Sequence, residues 1–310
     1  MLHRIQPPVR NGVDALRNEF SAARPFRHVV IDGFLDPALC SGLMDEFPAF
    51  DTRNARNEMG EVGRKAVVPG IRRIGRAYAE FDRLMRSREF LEWLGTVVSI
   101  PKLLYDPDYV GGGTHENLEG QDLDPHVDFN YHPRRPLHRR LNLIVFLNAE
   151  WEEKWGGCLE LLSDPWRRDP DVRRVVPLAN RCVVFETTEF SWHGFRRIQL
   201  PADRTRVSRR SIAVYFYTKE RPAAETAASH ATIYVPRPLA PQFQPGYTLR
   251  PEDVDELRVL LGRRDRQIQH LYEREQDFSK TLTGIYRSPP FRLGRALTWP
   301  LRRLRAWVRR

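Results

Sequence analysis

The sequence HVDFN, at residues 126–130, is the stretch around which the rest of this chain is organised. On a β-strand, His126 and Asp128 point to the same face, because side chains alternate with a period of two. The sequence SWHGF, at residues 191–195, supplies a second imidazole, His193, from a distant strand. Two histidines and one carboxylate on one side of a metal form the facial triad that binds Fe(II) and leaves the opposite side open. The pattern therefore predicts a metal site.

Short β-rich segments surround these residues and are separated by turn residues. They include HVDFNYH, RRLNLIVFLN, GGCLELL, NRCVVFET and SRRSIAVYFYT, all between residues 126 and 218. Short strands without intervening helices indicate an antiparallel sandwich or barrel and not βαβ units. We predict a mainly β (α+β) fold with a double-stranded β-helix (jelly-roll) core, because the inward faces of a jelly-roll can hold a metal at one mouth.

Helices are expected on both sides of this core. Asp36 should cap an N-terminal helix with Pro37 at its first position, and residues 81–98 predict an amphipathic helix or helix pair. The predicted organisation is a β-rich catalytic domain at 1–221, a Pro-rich linker or strap at 222–250, a coiled-coil-like helix at 251–288 and a basic amphipathic tail at 289–310.

The helix predicted at 251–288 carries an apolar heptad repeat. The repeat consists of Leu257, Leu261, Ile268, Leu271, Phe278, Leu282 and Ile285. Arg264 and Glu275 fill two further core positions, so the coiled coil is imperfect. The repeat predicts a homodimer through this helix.

The formal net charge of +10 is concentrated at the C-terminal end. Nine basic residues and no acidic ones lie between Phe278 and Arg310, so residues 1–277 are nearly neutral. A basic amphipathic segment with Trp299 and Trp307 favours an anionic membrane surface over nucleic acid. The alternative is a tail that packs on the catalytic domain or on a coiled-coil partner.

The cysteines and the N-terminus indicate the cellular compartment. Cys40, Cys158 and Cys182 are odd in number and widely spaced, which is typical of buried or free thiols in a reducing compartment. The N-terminus has no apolar signal-peptide region, and no run approaches the ~18 apolar residues of a membrane span. We expect a cytoplasmic protein whose tail makes peripheral contact with the inner face of the cytoplasmic membrane.

The strand SRRSIAVYFYT, at 208–218, supplies a cation. Arg209 and Ser211 lie two apart on one face, and Tyr215 continues this face inward. A guanidinium can bind a carboxylate through two hydrogen bonds, and a neighbouring hydroxyl can donate to the same oxygen. The alternative is that Arg209 and Arg210 are both surface charges on an edge strand.

From about Pro25 to Thr218, the chain resembles the Fe(II)/2-oxoglutarate-dependent oxygenases of the prolyl-4-hydroxylase-like superfamily, and it is most similar to a bacterial group close to the ribosomal prolyl dihydroxylases. The matching segments are GGGTH at 111–115, LDPHVDFNYH at 123–132, RRLNLIVFLNAEW at 139–151, WGGCLEL at 155–161, NRCVVFET at 180–187, SWHG at 191–194 and RRSIAVYFYT at 209–218. They cover most of the double-stranded β-helix in the correct order. The resemblance implies a dioxygenase that uses Fe(II), 2-oxoglutarate and dioxygen, with ascorbate as an optional reductant.

The resemblance also implies a role for each matched residue. His126, Asp128 and His193 would ligate Fe(II). Arg209, together with Ser211, would bind the distal carboxylate of 2-oxoglutarate. The presence of Asp128 favours hydroxylation, since related halogenases lack this carboxylate and place halide there.

One departure from the family concerns a tyrosine. Many relatives carry a tyrosine that contacts 2-oxoglutarate, where this chain has Phe146. Phenylalanine cannot donate a hydrogen bond. We expect Asn142 or Tyr215 to supply the missing contact with the cosubstrate.

A second departure concerns the cosubstrate anchor. The basic residue of the family usually follows the distal histidine more closely than Arg209 follows His193 in this chain. Arg204 and Arg206 are therefore fallback candidates for the anchor, although neither lies in the strand pattern.

Substrate contacts are expected from loops, because binding residues concentrate there. The candidate loops are 52–75, 129–139 and 196–208. His115 and His132 are further candidates, since both lie near the metal site in sequence.

The segment YRSPPFRLGRALTWPLRRL, at 286–304, resembles a C-terminal pattern of bacterial glycosyltransferases from surface-polysaccharide clusters. This second resemblance implies a role in polysaccharide biosynthesis and hydroxylation of a membrane-associated glycan or lipid-linked sugar. One alternative is a peptidyl (prolyl) hydroxylase that acts on a protein. Another is a noncatalytic interaction scaffold that binds partners through the coiled coil.

Overall fold

The computed structural model describes residues 1–55, 65–167, 169–237, 239 and 242–298. The chain divides into two compact units, Met1–Arg237 and Pro238–Arg310. The first unit contains the β-rich region and the N-terminal helices, and the second contains the C-terminal helices. The four-segment organisation expected from the sequence stays a prediction.

The secondary structure of the described residues follows in chain order. The helices of the first unit are α1 (Pro7–Asn11), α2 (Val13–Ala22), α3 (Pro37–Asp45), α4 (Arg76–Met85) and α5 (Arg88–Val98). Its strands are β1 (His28–Ile31), β2 (Lys65–Val68), β3 (Leu104–Tyr105), β4 (Gly113–Asn117), β5 (Leu123–Val127), β6 (His138–Phe146), β7 (Leu159–Leu162), β8 (Val172–Val175), β9 (Cys182–Glu186), β10 (Trp192–Phe195), β11 (Arg209–Thr218) and β12 (Ile233–Tyr234). The second unit contains α6 (Pro251–Arg287) and α7 (Pro289–Leu297).

These strands form two antiparallel sheets. The larger has the order β1-β9-β6-β11-β4-β2, with β3 paired to β11. The smaller has the order β12-β5-β10-β7-β8, so β12, from the segment expected to be a linker or strap, is a strand of this sheet. Two antiparallel sheets with flanking helices confirm the predicted double-stranded β-helix fold.

Strand β6 shows how the larger sheet separates the core from the site. Leu141, Leu143 and Val145 are fully buried in the main core, together with residues of α4 and α5. The alternate residues Asn142 and Ile144 face a pocket on the other side. This alternation places the helices on the outer face of the sheet and the pocket on its inner face.

Helix α3 begins where the sequence predicts, whereas the helix pair predicted from Phe81 begins earlier, at Arg76. The Asp36 carboxylate accepts a hydrogen bond from the Leu39 amide at 3.1 Å and caps α3. Ser87 caps α5 by accepting from the Phe90 amide, so residues 81–98 contribute to a helix pair and not to one helix. The three cysteines are buried and free, which confirms the predicted thiol state.

Helix α6 confirms the long helix that the heptad repeat predicts. Pro251 occupies its first position, and the Asp253 carboxylate accepts a hydrogen bond from the backbone amide of Arg250 at 2.9 Å. None of the described helices combines the length and apolar composition that a membrane span requires. Parts of two predictions lie outside the described residues, namely the loop at 56–64 and the tail from Trp299 onward.

Candidate active site

Strands β5 and β10 bring the three predicted metal ligands together. The two strands pair antiparallel, in a register that places His193 opposite His126. Asp128 follows β5 directly, and its carboxylate oxygens lie 3.9 Å from His126 Nε2 and 3.5 Å from His193 Nε2. All three ligand atoms lie within 4.8 Å of one another, as they must to share one ion.

Backbone carbonyls fix the tautomers of both histidines. His126 Nδ1 lies 3.0 Å from the carbonyl oxygen of Asp124, and His193 Nδ1 lies 3.0 Å from that of Ser191. Since a carbonyl only accepts, each Nδ1 carries the proton and each Nε2 keeps its lone pair. Burial lowers the pKa of His126 to about 3 and also lowers the pKa of His193. Both imidazoles are therefore neutral, as metal ligands must be.

A second cluster of the described residues, formed by Asp106, Asp108 and His132, has a different chemistry. His132 Nδ1 accepts a hydrogen bond from the backbone amide of Arg134 at 3.1 Å. Its proton is therefore on Nε2, which lies 3.4 Å from an Asp106 oxygen. This histidine has no lone pair to offer a metal and forms a buried pair with the carboxylate.

Two side chains, those of Asn142 and Arg139, contact the carboxylate of Asp128. Asn142 Nδ2 donates to its Oδ2 at 2.7 Å, and Arg139 Nη2 lies 3.1 Å from the same oxygen. Burial alone would raise the pKa of Asp128, but Arg139, the two imidazoles and the hydrogen bond from Asn142 together outweigh this effect, and the pKa lies below its usual value. Asp128 is therefore ionised, with Oδ1 turned toward His126.

Arg139 is a site residue that sequence reasoning missed. Its guanidinium lies 3.6 Å from the centre of the Tyr215 ring and is 1% exposed. The period-two rule places Arg139 and Asn142, three residues apart, on opposite faces of β6. The register with β11 shifts between Leu141 and Arg139, which is a β-bulge, and both side chains reach Asp128.

Replacing Arg139 by methionine should lower the free energy of unfolding of the metal-free protein by about 3–5 kcal/mol, because the buried Asp128 loses its partner charge. The variant Asp128→Asn removes the same pair from the other side. If the two residues act as a pair, the double variant Arg139→Met/Asp128→Asn should lose less free energy of unfolding than the two single variants lose together. Chemical denaturation without metal measures this, and additive losses would contradict the pairing.

Arg209, at the first position of β11, lines the same pocket as Asp128. Its Nε donates to the carbonyl of Gly157 at 2.6 Å, and its guanidinium carbon lies 4.5 Å from the Phe195 ring centre and 5.1 Å from that of Phe146. In the described part of the chain, no carboxylate lies within ion-pair distance of it. Burial lowers its pKa to about 10. A buried cation in such surroundings favours an anionic ligand.

One pocket joins these features. Each residue of the predicted site lines it, namely His126, Asp128, Asn142, His193, Arg209, Ser211 and Tyr215. The Tyr215 hydroxyl donates to the carbonyl of Gly111 at 2.9 Å, and Asn142 is engaged with Asp128. The contact of either side chain with 2-oxoglutarate stays a prediction.

The other candidates divide between the pocket and the surface. His115 lines the pocket, whereas His132 does not. Arg204 pairs with Glu150 at 3.0 Å on the surface, and Arg206 is exposed. The two fallback arginines therefore lie away from the pocket lining.

Tyr234 on β12 is a further pocket residue that sequence reasoning missed. Its ring centre lies 5.1 Å from that of His126, so it packs directly on a predicted metal ligand. The segment IYV at 233–235 is a short β-prone run within the Pro-rich strap, but no local pattern indicates that it pairs with β5.

Comparison with known proteins identifies the family of the segment that contains these site residues. Residues 113–217 match the family model of the 2OG-Fe(II) oxygenase superfamily. This segment, which carries the site, belongs to the superfamily. The matched segment contains His126, Asp128, His193 and Arg209, and the protein is a 2-oxoglutarate-dependent Fe(II) dioxygenase. Family membership favours an enzyme over the noncatalytic scaffold.

Several solved structures are similar to the oxygenase. A prolyl 4-hydroxylase from Phytophthora capsici aligns with a TM-score of 0.49 and 18% identity, over 98% of this chain and 96% of that one. A Pseudomonas putida prolyl-4-hydroxylase gives a TM-score of 0.44 and 17% identity, over 67% and 100%. HygX from Streptomyces hygroscopicus, bound to nickel, 2-oxoglutarate and hygromycin B, gives 0.43 and 14%, over 66% and 91%. The sequence matches none of the curated proteins with which it was compared.

The residues of the pocket fit the cofactors of the superfamily. Two neutral imidazoles and one ionised carboxylate are a donor set for Fe(II). The buried guanidinium of Arg209 and the hydroxyl of Ser211 suit a carboxylate of 2-oxoglutarate.

Proposed function

We propose that the oxygenase is a hydroxylase in which His126, Asp128 and His193 hold Fe(II). Arg209 and Ser211 hold the distal carboxylate of 2-oxoglutarate. One observation carries the proposal. Two Nε2 lone pairs and an ionised carboxylate line the same pocket as a buried guanidinium with no carboxylate partner among the described residues.

The chain's own residues orient the ligands and exclude water. The carbonyls of Asp124 and Ser191 hold the two imidazoles, and Asn142 holds Oδ2 of Asp128, so Oδ1 is the oxygen that would bind Fe(II). Apolar rings around Arg209 keep water from the ion pair and so strengthen its attraction for a carboxylate. When bound, Fe(II) and 2-oxoglutarate activate dioxygen, which oxidises a substrate C–H bond while 2-oxoglutarate is converted to succinate and carbon dioxide.

For the substrate, we propose a membrane-associated glycan or lipid-linked sugar. The support is the basic tail, whose sequence resembles that of glycosyltransferases from surface-polysaccharide clusters. The alternative substrate is a prolyl residue of a protein, which the resemblance to the prolyl-4-hydroxylase-like group favours. Both substrates would enter the same pocket, so the site chemistry is common to the two proposals.

Purified protein with Fe(II) and ascorbate should convert 2-oxoglutarate slowly to succinate before any substrate is known, and the correct substrate should accelerate this turnover. Succinate is measured with lipid-linked saccharides in one arm and with prolyl peptides in the other. The gain of one oxygen atom by the substrate identifies the product by mass spectrometry. Failure to bind either Fe(II) or 2-oxoglutarate in titrations would refute the proposal.

A further inference from the structure

Helix α6 presents an uncovered stripe at the core positions of a coiled coil. With Val254 as the first core position, heptad spacing gives ten positions up to Ile285. Eight of them, from Leu261 onward, are exposed, including Leu261 at 58%, Phe278 at 60% and Leu282 at 51%. Helices with such a stripe gain most of their stability from packing against a partner helix.

The two charged residues within this stripe have opposite signs. Arg264 is a d position and Glu275 is an a position, and both are exposed. In an antiparallel two-stranded coiled coil, an a position of one helix packs against a d position of the other. Arg264 of one copy can therefore face Glu275 of a second copy, and the two-fold symmetry repeats this pair.

We propose that α6 forms an antiparallel homodimer with a second copy of this chain, fixed in register by two Arg264–Glu275 pairs. The two-fold axis then crosses the helix between Gln269 and His270. This register leaves no core position without a partner. The layers are Val254–Ile285, Leu257–Leu282, Leu261–Phe278, Arg264–Glu275 and Ile268–Leu271, and each occurs twice.

Other arrangements of the same two helices are less favourable. A parallel dimer places Arg264 against Arg264 of the partner subunit and Glu275 against Glu275 of the partner subunit, which are two like-charge layers. An antiparallel dimer shifted by one heptad places Arg264 against Leu282 or Ile268 and leaves its charge unpaired in the core. Of these arrangements, only the proposed register places each charged core residue opposite a residue of opposite charge. The two charges therefore favour the antiparallel orientation and a second copy of this chain as the partner.

The test is a charge exchange in the full-length protein, with the oligomeric state measured by analytical ultracentrifugation. The wild type should sediment as a dimer. Arg264→Glu and Glu275→Arg each create two like-charge layers and should raise the dimer dissociation constant at least about tenfold. The double variant restores the opposite-charge pairs in the antiparallel register, and the dimer returns.

Matched controls lie on the outer face of the same helix. Arg266→Glu and Glu273→Arg make the same charge changes at f positions and should leave the dimer unchanged. Circular dichroism confirms that each variant keeps its helical content. A wild type that is monomeric at all concentrations, single variants that behave like the controls, or a double variant without rescue would each overturn the proposal.

Cysteine crosslinking tests the orientation directly, since the native cysteines are buried. A mixture of Leu261→Cys and Phe278→Cys proteins should form a disulfide between the two variants. Leu261→Cys alone should not crosslink, because the antiparallel register separates the two copies of residue 261 by about 26 Å along the helix. Crosslinking of Leu261→Cys with itself would establish the parallel arrangement and overturn the proposal.

Discussion

The variant His193→Ala is expected to lose Fe(II) binding, and with it the turnover of 2-oxoglutarate. His193 Nε2 lies 3.5 Å from Asp128, and its Nδ1 is fixed by the carbonyl of Ser191. Alanine removes one of the three donors, and among the described residues the cluster contains no fourth His, Cys, Asp or Glu that could replace it. The loss of affinity should exceed the roughly 10- to 100-fold that removal of a supporting residue usually costs.

The measurement is a titration with Fe(II) under anaerobic conditions, followed by succinate formation. The thermal shift that Fe(II) produces gives a second readout, because a ligand that binds only the folded state stabilises it. His270→Ala, on α6, is the matched control and should bind Fe(II) like the wild type. Wild-type affinity in His193→Ala would contradict the proposed ligand set.

Much of the fold could be predicted from the sequence because its strands obey simple local rules. The short β-rich segments from 126 to 218 predicted the jelly-roll, and the predicted cap Asp36 marks the start of α3. Same-face spacing also predicted which residues of β11 point inward, since Arg209, Ser211 and Tyr215 all line the pocket. These predictions need only the period of a strand and the preferences of a cap.

The remaining site residues depend on pairing between distant strands. A bulge in β6 turns Arg139 toward Asp128, and pairing of β12 with β5 brings Tyr234 onto the ring of His126. Neither event has a local sequence pattern, because each is decided by the register with a partner strand. The distance from His193 left Arg204 and Arg206 as fallback candidates, and of the three arginines Arg209 lines the pocket.

The variant Arg209→Met is expected to raise the KM for 2-oxoglutarate far more than it lowers kcat. Arg209 is 5% exposed, and its guanidinium lies against the rings of Phe146 and Phe195. Removing one partner of a buried ion pair costs about 3–5 kcal/mol. That cost corresponds to an increase in KM of roughly 10²- to 4 × 10³-fold. Iron affinity should change little, because Arg209 contacts none of the proposed ligands.

The variant Arg209→Lys separates charge from geometry. Lysine keeps the positive charge but loses the guanidinium Nε that donates to Gly157, so its KM should lie between those of the wild type and Arg209→Met. Arg204→Ala is the matched control. Arg204 is 44% exposed and paired with Glu150, so its removal should leave the KM unchanged. A large rise in KM for Arg204→Ala, with none for Arg209→Met, would contradict the assignment of Arg209. It would instead identify Arg204, in the loop that precedes β11, as the residue that binds the carboxylate of 2-oxoglutarate.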